Sequence, residues 1–411
     1  MAAAALVLAP AGGAAGSAHG GLTPVVLFPA FHFTKLEVTV RGQTAFPSCP
    51  RSGSFQDWFA NPHPGTAFSQ VCRDELLTLR YHRHSRKPMR LRFSNQHGVS
   101  VRILHYGSPA SAPFYGPLYH ALEAAGYTPG KNLRVAGYDA RLTPDMGGFL
   151  RRTKRLVERT YRANGDRPVQ LIGHSNGPLY AQYLLTHTTR AWRDRYIHGF
   201  TPIAGNFPGS GLMYPILFSG ANVRDFTFPK TAANARSSAR LWLTSPATYM
   251  SAADPRIFGA REVVVQDAST GRRYTPRDYP RLLADAHLSR LKPIADYYIG
   301  FVRFADLASF PTVDVYAEKG SGKPTPVGAV LPRLTVGQVL GPAKSRFFVR
   351  DGDINQEDIT NDAVLAWQPV PCFRFSLTDN PGVDHFALPG DPGLLSRLVD
   401  SLGRRRSSCP A

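Results

Sequence analysis

A serine held between two glycines, Gly173-His174-Ser175-Asn176-Gly177, follows the apolar run Val169-Gln170-Leu171-Ile172 and precedes Pro178-Leu179-Tyr180. Gly-x-Ser-x-Gly between a strand and a helix is the pattern of a nucleophile elbow, in which a strained turn holds the hydroxyl up at a helix N-terminus. Pro178 suits the first turn of that helix, where no N–H is needed. A serine is a poor nucleophile at neutral pH unless a base takes its proton, and the base needs an anion to fix its tautomer. The histidines downstream are His187, His198, His287 and His385. His187 falls in the helix leaving the elbow, His198 sits just before the next strand, and His287 reads as a helical surface residue. His385, in Gly382-Val383-Asp384-His385-Phe386, lies on a loop before the last helix, and suits the order Ser, acid, His. For the acid, Arg350-Asp351-Gly352-Asp353 follows the strand Phe347-Phe348-Val349. Physics alone does not separate Asp351 from Asp353, and Asp358 and Asp362 stand further along the same polar loop.

Such residues work only if the chain brings them together. Pro24 to Phe31 is an apolar strand, Leu36 to Val40 is amphipathic, and from Val101 strands and helices alternate: Val101 to Leu104, helix Tyr115 to Ala125, Leu133 to Ala136, helix Gly147 to Ala163, then the elbow strand. That alternation predicts a mostly parallel central sheet with right-handed crossovers, an α/β class with the serine at the C-terminal end of a strand. In the α/β-hydrolase arrangement, the backbone N–H groups of an oxyanion hole come from a loop after an early strand and from the residue after the nucleophile, here Phe31 and Asn176. Gly199 to Gly205 reads as the next strand, Phe310 to Val315 and Arg346 to Val349 as late strands, and Pro392 to Leu402 as a final helix. Two stretches do not fit the alternation. Residues 45 to 95 read neither as sheet nor as long helix, and hold Phe55, Trp58 and Phe59, which suit either a membrane interface or packing of their own loop. Residues 206 to 260 lose periodicity, as a lid or cap inserted after a core strand does.

The chain has 411 residues, with a formal net charge of +19, 43% hydrophobic and 19% charged residues. The length suits one enlarged α/β domain with insertions or two domains, and the charge predicts attraction to polyanions. The densest basic run, Arg80 to Arg92, lacks the aromatic platforms of an RNA-binding module, so a solvated basic face or an anionic membrane surface is expected, and no nucleic acid. Helix 151–163 carries Arg151, Arg152, Lys154, Arg155, Arg159 and Arg162 as a solvated face. Residues 1–20 resemble the later part of a secretory signal without its basic leading segment, and no later run of eighteen apolar residues suggests a transmembrane helix. The cysteines fall into two pairs by sequence, Cys49 with Cys72 and Cys372 with Cys409, although four cysteines allow three pairings. A secreted, lumenal or vacuolar protein, peripherally bound to membrane, is the expectation. No Cys-x-x-Cys or His/Cys cluster at zinc spacing occurs, so neither a metal nor another cofactor is expected.

One ordered set of motifs is more specific than the elbow: Pro24 to Glu37, Ala136-Gly137-Tyr138-Asp139-Ala140-Arg141-Leu142, Gly173-His174-Ser175, Ala191-Trp192-Arg193-Asp194-Arg195-Tyr196 and Asp351-Gly352-Asp353. This set resembles the lecithin:cholesterol acyltransferase family, which also includes lysosomal phospholipase A and plant phospholipid acyltransferases. The resemblance runs from about residue 24 to 400. It implies an α/β-hydrolase domain over residues 21–411, with a membrane-binding insertion at about 45–98 and a lid insertion at about 206–300. It also implies Ser175 as nucleophile, Asp353 as acid and His385 as base, and transfer of an acyl group from a membrane phospholipid to a sterol, a lysophospholipid or water. Three positions depart from the family's habit: Ala30 stands where Pro-Gly is common, Asn176 replaces an apolar neighbour of the serine, and Ile354-Asn355-Gln356 follows the acid. The rival expectation is a catalytically silent lipid- or membrane-binding protein that keeps the hydrolase fold.

Overall fold

Val25, Val26, Leu27 and Phe28 are all fully buried, and a strand apolar on both faces must be covered on both. In the computed structural model, this strand, β1 (Val25–Phe28), lies inside a six-stranded sheet with β2 (Leu133–Val135), β3 (Val169–His174), β4 (Ile197–Ile203), β5 (Asp314–Ser321) and β6 (Phe375–Pro381). The structure describes residues 21–58, 67–83, 91–220, 231–260, 262–302, 311–340, 346–367, 371–407 and 409. Every pairing in the sheet is parallel, in the order β6-β5-β4-β3-β1-β2. After β1 the chain moves outward to β2, then returns past β1 to start β3. The turns after β1 and β3 therefore diverge from neighbouring strand ends, leaving the crevice in which open α/β sheets place their chemistry. Val25, Leu27 and Ile172 pack into one core layer, and Val26, Phe28 and Leu171 into another on the opposite face.

The helices that cover the sheet follow their apolar faces. Phe149–Ala163 buries Phe149, Thr153, Leu156, Val157 and Thr160 and turns Arg151, Arg155, Arg159 and Arg162 to solvent, the solvated basic face expected of it. Gly177–Thr186 is buried from Gly177 to Leu185 and runs on from the elbow. The last helix, Pro392–Leu402, is capped by Asp391, whose side chain accepts from Leu394 N–H at 2.8 Å.

The strand expected at Val101 to Leu104 is observed at Val99–Ile103, but it does not join the parallel sheet. It pairs antiparallel with Leu36–Val40, whose other edge carries Gly53–Asp57. Phe347–Gly352 likewise belongs to a separate four-stranded sheet with Lys323–Leu331, Val265–Asp267 and Arg273–Tyr274. The strand expected at Phe310 to Val315 starts outside the described residues and is observed at Asp314–Ser321.

Residues 45–95 hold more regular structure than their composition suggests: the strand Gly53–Asp57, the helix Gln70–Leu77, and a hairpin of Arg80–Arg83 with Leu91–Ser94. Cys49 and Cys72 form a disulfide, and Cys372 and Cys409 form another. Phe55 is 5% exposed and its ring lies 5.0 Å from that of Phe68, so this residue packs its own loop and is not presented to a membrane. Trp58 is half-buried with Lys35 Nζ 5.6 Å from its ring, and Phe59 lies outside the described residues.

The stretch from 206 is helical where the sequence shows no periodicity. Met213–Ser219, Ala232–Thr244 and Pro246–Met250 are mostly buried on several sides, which erases the one-sided pattern by which helices are read. The two insertions are joined to each other. Ser237 and Ser238 hydroxyls donate to Asp74 Oδ2 at 3.0 and 2.7 Å, and Arg240 pairs with Glu75 at 3.0 Å. Among the described residues no helix is long and apolar enough to cross a membrane.

Candidate active site

Ser175 has φ +60, in the left-handed region that few non-glycine residues enter. Its N–H donates to Ile203 O at 2.9 Å, and Asn206 N–H donates to Ser175 O at 2.9 Å, so the elbow is fixed to the end of β4. The flanking glycines are there for space. A Cβ on Gly173 would fall 2.7 Å from Pro178 N, and one on Gly177 would fall 2.0 Å from Phe28 O.

Ser175 and His385 line one cavity of about 230 Å³. Phe31 and Asn176, expected to supply oxyanion donors, line it too. Its walls are otherwise mostly apolar, with Phe33, Leu212, Met213, Ile216, Trp242 and Phe386. His385 is 1% exposed and donates from Nδ1 to Asp353 Oδ2 at 2.9 Å. Asp353 is fully buried; its Oδ1 accepts from the N–H groups of Asn355 and Gln356 at 3.0 and 2.7 Å. Asp351 is exposed on its strand, so of the two acids it is Asp353 that meets the imidazole. Among the described residues His385 Nε2 has no hydrogen-bond partner, Ser175 Oγ included. Such bonds are often long in a ligand-free site and tighten when substrate is bound.

His287 and His187, weighed with His385 as bases, are not among the residues that line this cavity. His287 is exposed in a turn at φ +58 just past the helix Tyr279–Asp285, rather than within a helix. His187 stacks on Tyr183 at the end of the elbow helix. Among the described residues no group of His, Cys, Asp or Glu is arranged to hold a metal.

Sequence reasoning missed the support behind the site. His174 Nε2 donates to His385 O at 2.9 Å. A carbonyl can only accept, so Nδ1 is the acceptor face, and the Tyr115 hydroxyl donates to it at 3.0 Å. That hydroxyl in turn accepts from Ala30 N–H at 2.7 Å. Burial, together with the neighbouring His385, holds the His174 imidazole well below its ordinary value, so it stays neutral and keeps this tautomer. A single chain of hydrogen bonds thus connects the loop after β1 to the backbone of His385. His174 stands in the elbow motif itself, but Tyr115, 59 residues away, carried no signal.

Glu357, just beyond Asp353, is 3% exposed. Burial first, and the neighbouring Glu262 second, push its carboxyl up from 4.5 to about 8. Because the folded value lies above the unfolded one, the native state holds an extra proton between them. That contribution is whole below about pH 4.5 and is lost as pH rises toward 8. The free energy of unfolding is expected to fall across this window by up to about 1.4 kcal/mol per pH unit, and Glu357→Gln to flatten the slope. Urea titrations at several pH values measure it.

The chain is similar to several known proteins. The family model described as lecithin:cholesterol acyltransferase matches residues 98–241, a span that contains Ser175 but neither Asp353 nor His385. Lecithin-cholesterol acyltransferase-like 1 of Oryza sativa subsp. japonica is 27% identical over 98% of this chain and 91% of its own length. The chain is thus similar to the lecithin:cholesterol acyltransferase model over residues 98–241 and to a protein named for that enzyme over nearly its whole length. Lysosomal phospholipase A and acyltransferase of Mus musculus is 27% identical over 73% of this chain and 72% of its own. Phosphatidylcholine-sterol acyltransferase of Homo sapiens is 31% identical over 57% of this chain and 53% of its own. Among solved structures, a chain of the Tle4-Tli4 complex superposes with a TM-score of 0.55 over 92% of this chain and 98% of that one; at 12% identity it speaks for the fold alone. The fold is the α/β-hydrolase fold, with a mostly parallel central sheet.

Proposed function

We propose that this protein cleaves an acyl ester of a membrane phospholipid and passes the acyl group to a lipid alcohol or to water. Relatives named as acyltransferases and phospholipases support lipid acyl transfer as the class of reaction. The observation that carries the residue-level reading is the pairing of His385 with Asp353 beside the cavity that Ser175 lines. In this reading Asp353 keeps the proton of His385 on Nδ1, which leaves Nε2 as the base for Ser175 Oγ. The serine oxygen attacks the ester carbonyl, and the backbone N–H groups of Phe31 and Asn176 hold the oxyanion, each worth about 2.7–4 kcal/mol. The proton on His385 then leaves with the lysophospholipid. An alcohol or water repeats the sequence on the acyl-enzyme and frees Ser175.

The apolar wall from Phe31 to Trp242 suits an acyl chain. The insertion at about 45–98, with Trp58 and the basic hairpin strands, is the proposed membrane-binding subdomain, and residues of about 206–300 the proposed lid. Two disulfides favour a secreted, lumenal or vacuolar setting, in which thiols are not kept reduced. Incubating the protein with acyl-labelled phosphatidylcholine vesicles, with and without sterol, tests the proposal: labelled fatty acid or ester is expected, together with a fluorophosphonate adduct at Ser175. Absence of both products and of the adduct would leave the silent lipid-binding reading.

A further inference from the structure

Two buried side-chain atoms among the residues lining the cavity have no hydrogen-bond partner: His385 Nε2 and Asn206 Oδ1. Catalysis accounts for the first. The second belongs to a polar corner that the proposed reaction does not use. Asn206 is 5% exposed, and its Nδ2 donates to Asn176 Oδ1 at 2.6 Å and to Ser251 O at 3.5 Å. Asn176 Nδ2 donates to Ser251 Oγ, and that hydroxyl donates to Ala247 O at 2.8 Å. Flipping the Asn206 amide would set its oxygen against Asn176 Oδ1 and the Ser251 carbonyl, and flipping Asn176 to compensate would leave the Ser251 hydroxyl facing two acceptors with one proton. The network therefore fixes Oδ1 as the atom left over, a buried acceptor on a residue that lines a mostly apolar cavity.

We propose that Asn206 selects, among acyl acceptors, lipid alcohols that carry a second hydroxyl beside the one acylated. This rests on the acyl-transfer reading of the site. When an alcohol attacks the acyl-enzyme, its oxygen forms a bond to the acyl carbon as the bond to Ser175 Oγ breaks. Its proton passes to His385 Nε2 and from there to Ser175 Oγ. A hydroxyl has one proton, so the attacking group cannot also donate to Asn206. An acceptor with a single hydroxyl leaves Oδ1 unpaired once water is displaced, whereas the second O–H of a vicinal diol satisfies it. Water, with two protons, satisfies both atoms, so hydrolysis competes best when the alcohol is monohydroxylic. A site built around a hydrogen bond rejects the analogue lacking it more sharply than an apolar pocket rejects a change of size.

The test uses the whole protein and vesicles of acyl-labelled phosphatidylcholine containing either hexadecanol or the corresponding vicinal diol, with ester and free fatty acid separated. The ratio of ester to fatty acid is expected to be about ten-fold or more higher with the diol. Asn206→Leu should bring the two ratios within roughly a factor of two of each other. The comparison of alcohols in the unaltered protein stands even if the variant fails to fold. Equal ratios in the unaltered protein, full discrimination retained by Asn206→Leu, or fatty acid released with no ester from either alcohol would each overturn the assignment. If the unaltered protein releases no fatty acid and Ser175 takes no fluorophosphonate, the acyl-transfer reading has failed and this inference falls with it.

Discussion

Asp353→Asn is expected to lower the rate of acyl release about 10⁴-fold while leaving the protein folded, and Asp351→Asn to leave the rate within a factor of about two. The difference follows from what each carboxylate touches. Asp353 Oδ1 is held by the N–H groups of Asn355 and Gln356, and Oδ2 takes the proton of His385 Nδ1. An asparagine would keep its oxygen on those two N–H groups and turn its NH₂ toward the imidazole. Two donors cannot face each other, so His385 would move its proton to Nε2 and face Ser175 with the wrong nitrogen. Asp351 is exposed and has no such duty. Ser175→Ala should reduce release to background, since no other hydroxyl takes its place on the elbow. Initial rates on labelled vesicles, with circular dichroism to check folding, decide the matter. A large loss in Asp351→Asn with none in Asp353→Asn would reassign the acid.

The elements that hold Ser175 were legible because their signals are local. Val169 to Gly177 contains its strand, its turn and the start of its helix within nine positions, each marked by residue type. The proposed acid and base could be ordered from sequence; residue chemistry alone did not separate Asp351 from Asp353, the family resemblance implied Asp353, and it is Asp353 that the fold buries beside His385. The strand read at Val101 to Leu104 was counted with the parallel sheet, whereas Val99–Ile103 pairs antiparallel in another one. Its burial alternates, the mark of a strand with one wet face, and that feature separates it from the fully buried β1 and β3. Lys323–Leu331 was not readable at all, because Pro324 and Pro326 argue against a paired strand. The sheet accommodates them with a register shift between Pro326 and Gly328. The insertions were opaque for another reason. Helix Ala232–Thr244 buries Ser237 and Ser238, which look like surface residues until Asp74, more than 160 positions earlier, receives their protons. The same holds at the site, where Asn206, Tyr115 and Ser251 matter through partners that only tertiary structure supplies.

That dependence on close approach gives the second large effect, at Gly177. Its Cα lies so near the end of β1 that an added methyl would fall 2.0 Å from Phe28 O and 2.8 Å from Pro29 O, both backbone atoms. Neither can swing aside as a side chain would, so Gly177→Ala must push the elbow helix away from β1. Overpacking of this kind typically costs about 1–3 kcal/mol, and the rigid partner here puts the expected loss at roughly 3 kcal/mol or more. The displacement also has a direction that matters for chemistry. Phe28 leads within three residues to Phe31, and Gly177 follows Asn176, so moving one from the other parts the two proposed oxyanion donors. Activity should therefore fall further than the loss of folded protein accounts for. Gly116→Ala is the control: Gly116 begins a helix in right-handed conformation, and a methyl there meets nothing within 4 Å. It should leave the rate unchanged and, through the unfolded chain, add about 0.4–1 kcal/mol. Urea midpoints and initial rates of both variants measure the pair, and a Gly177→Ala protein as stable and as active as its parent would mean that β1 and the elbow helix do not approach as closely as described.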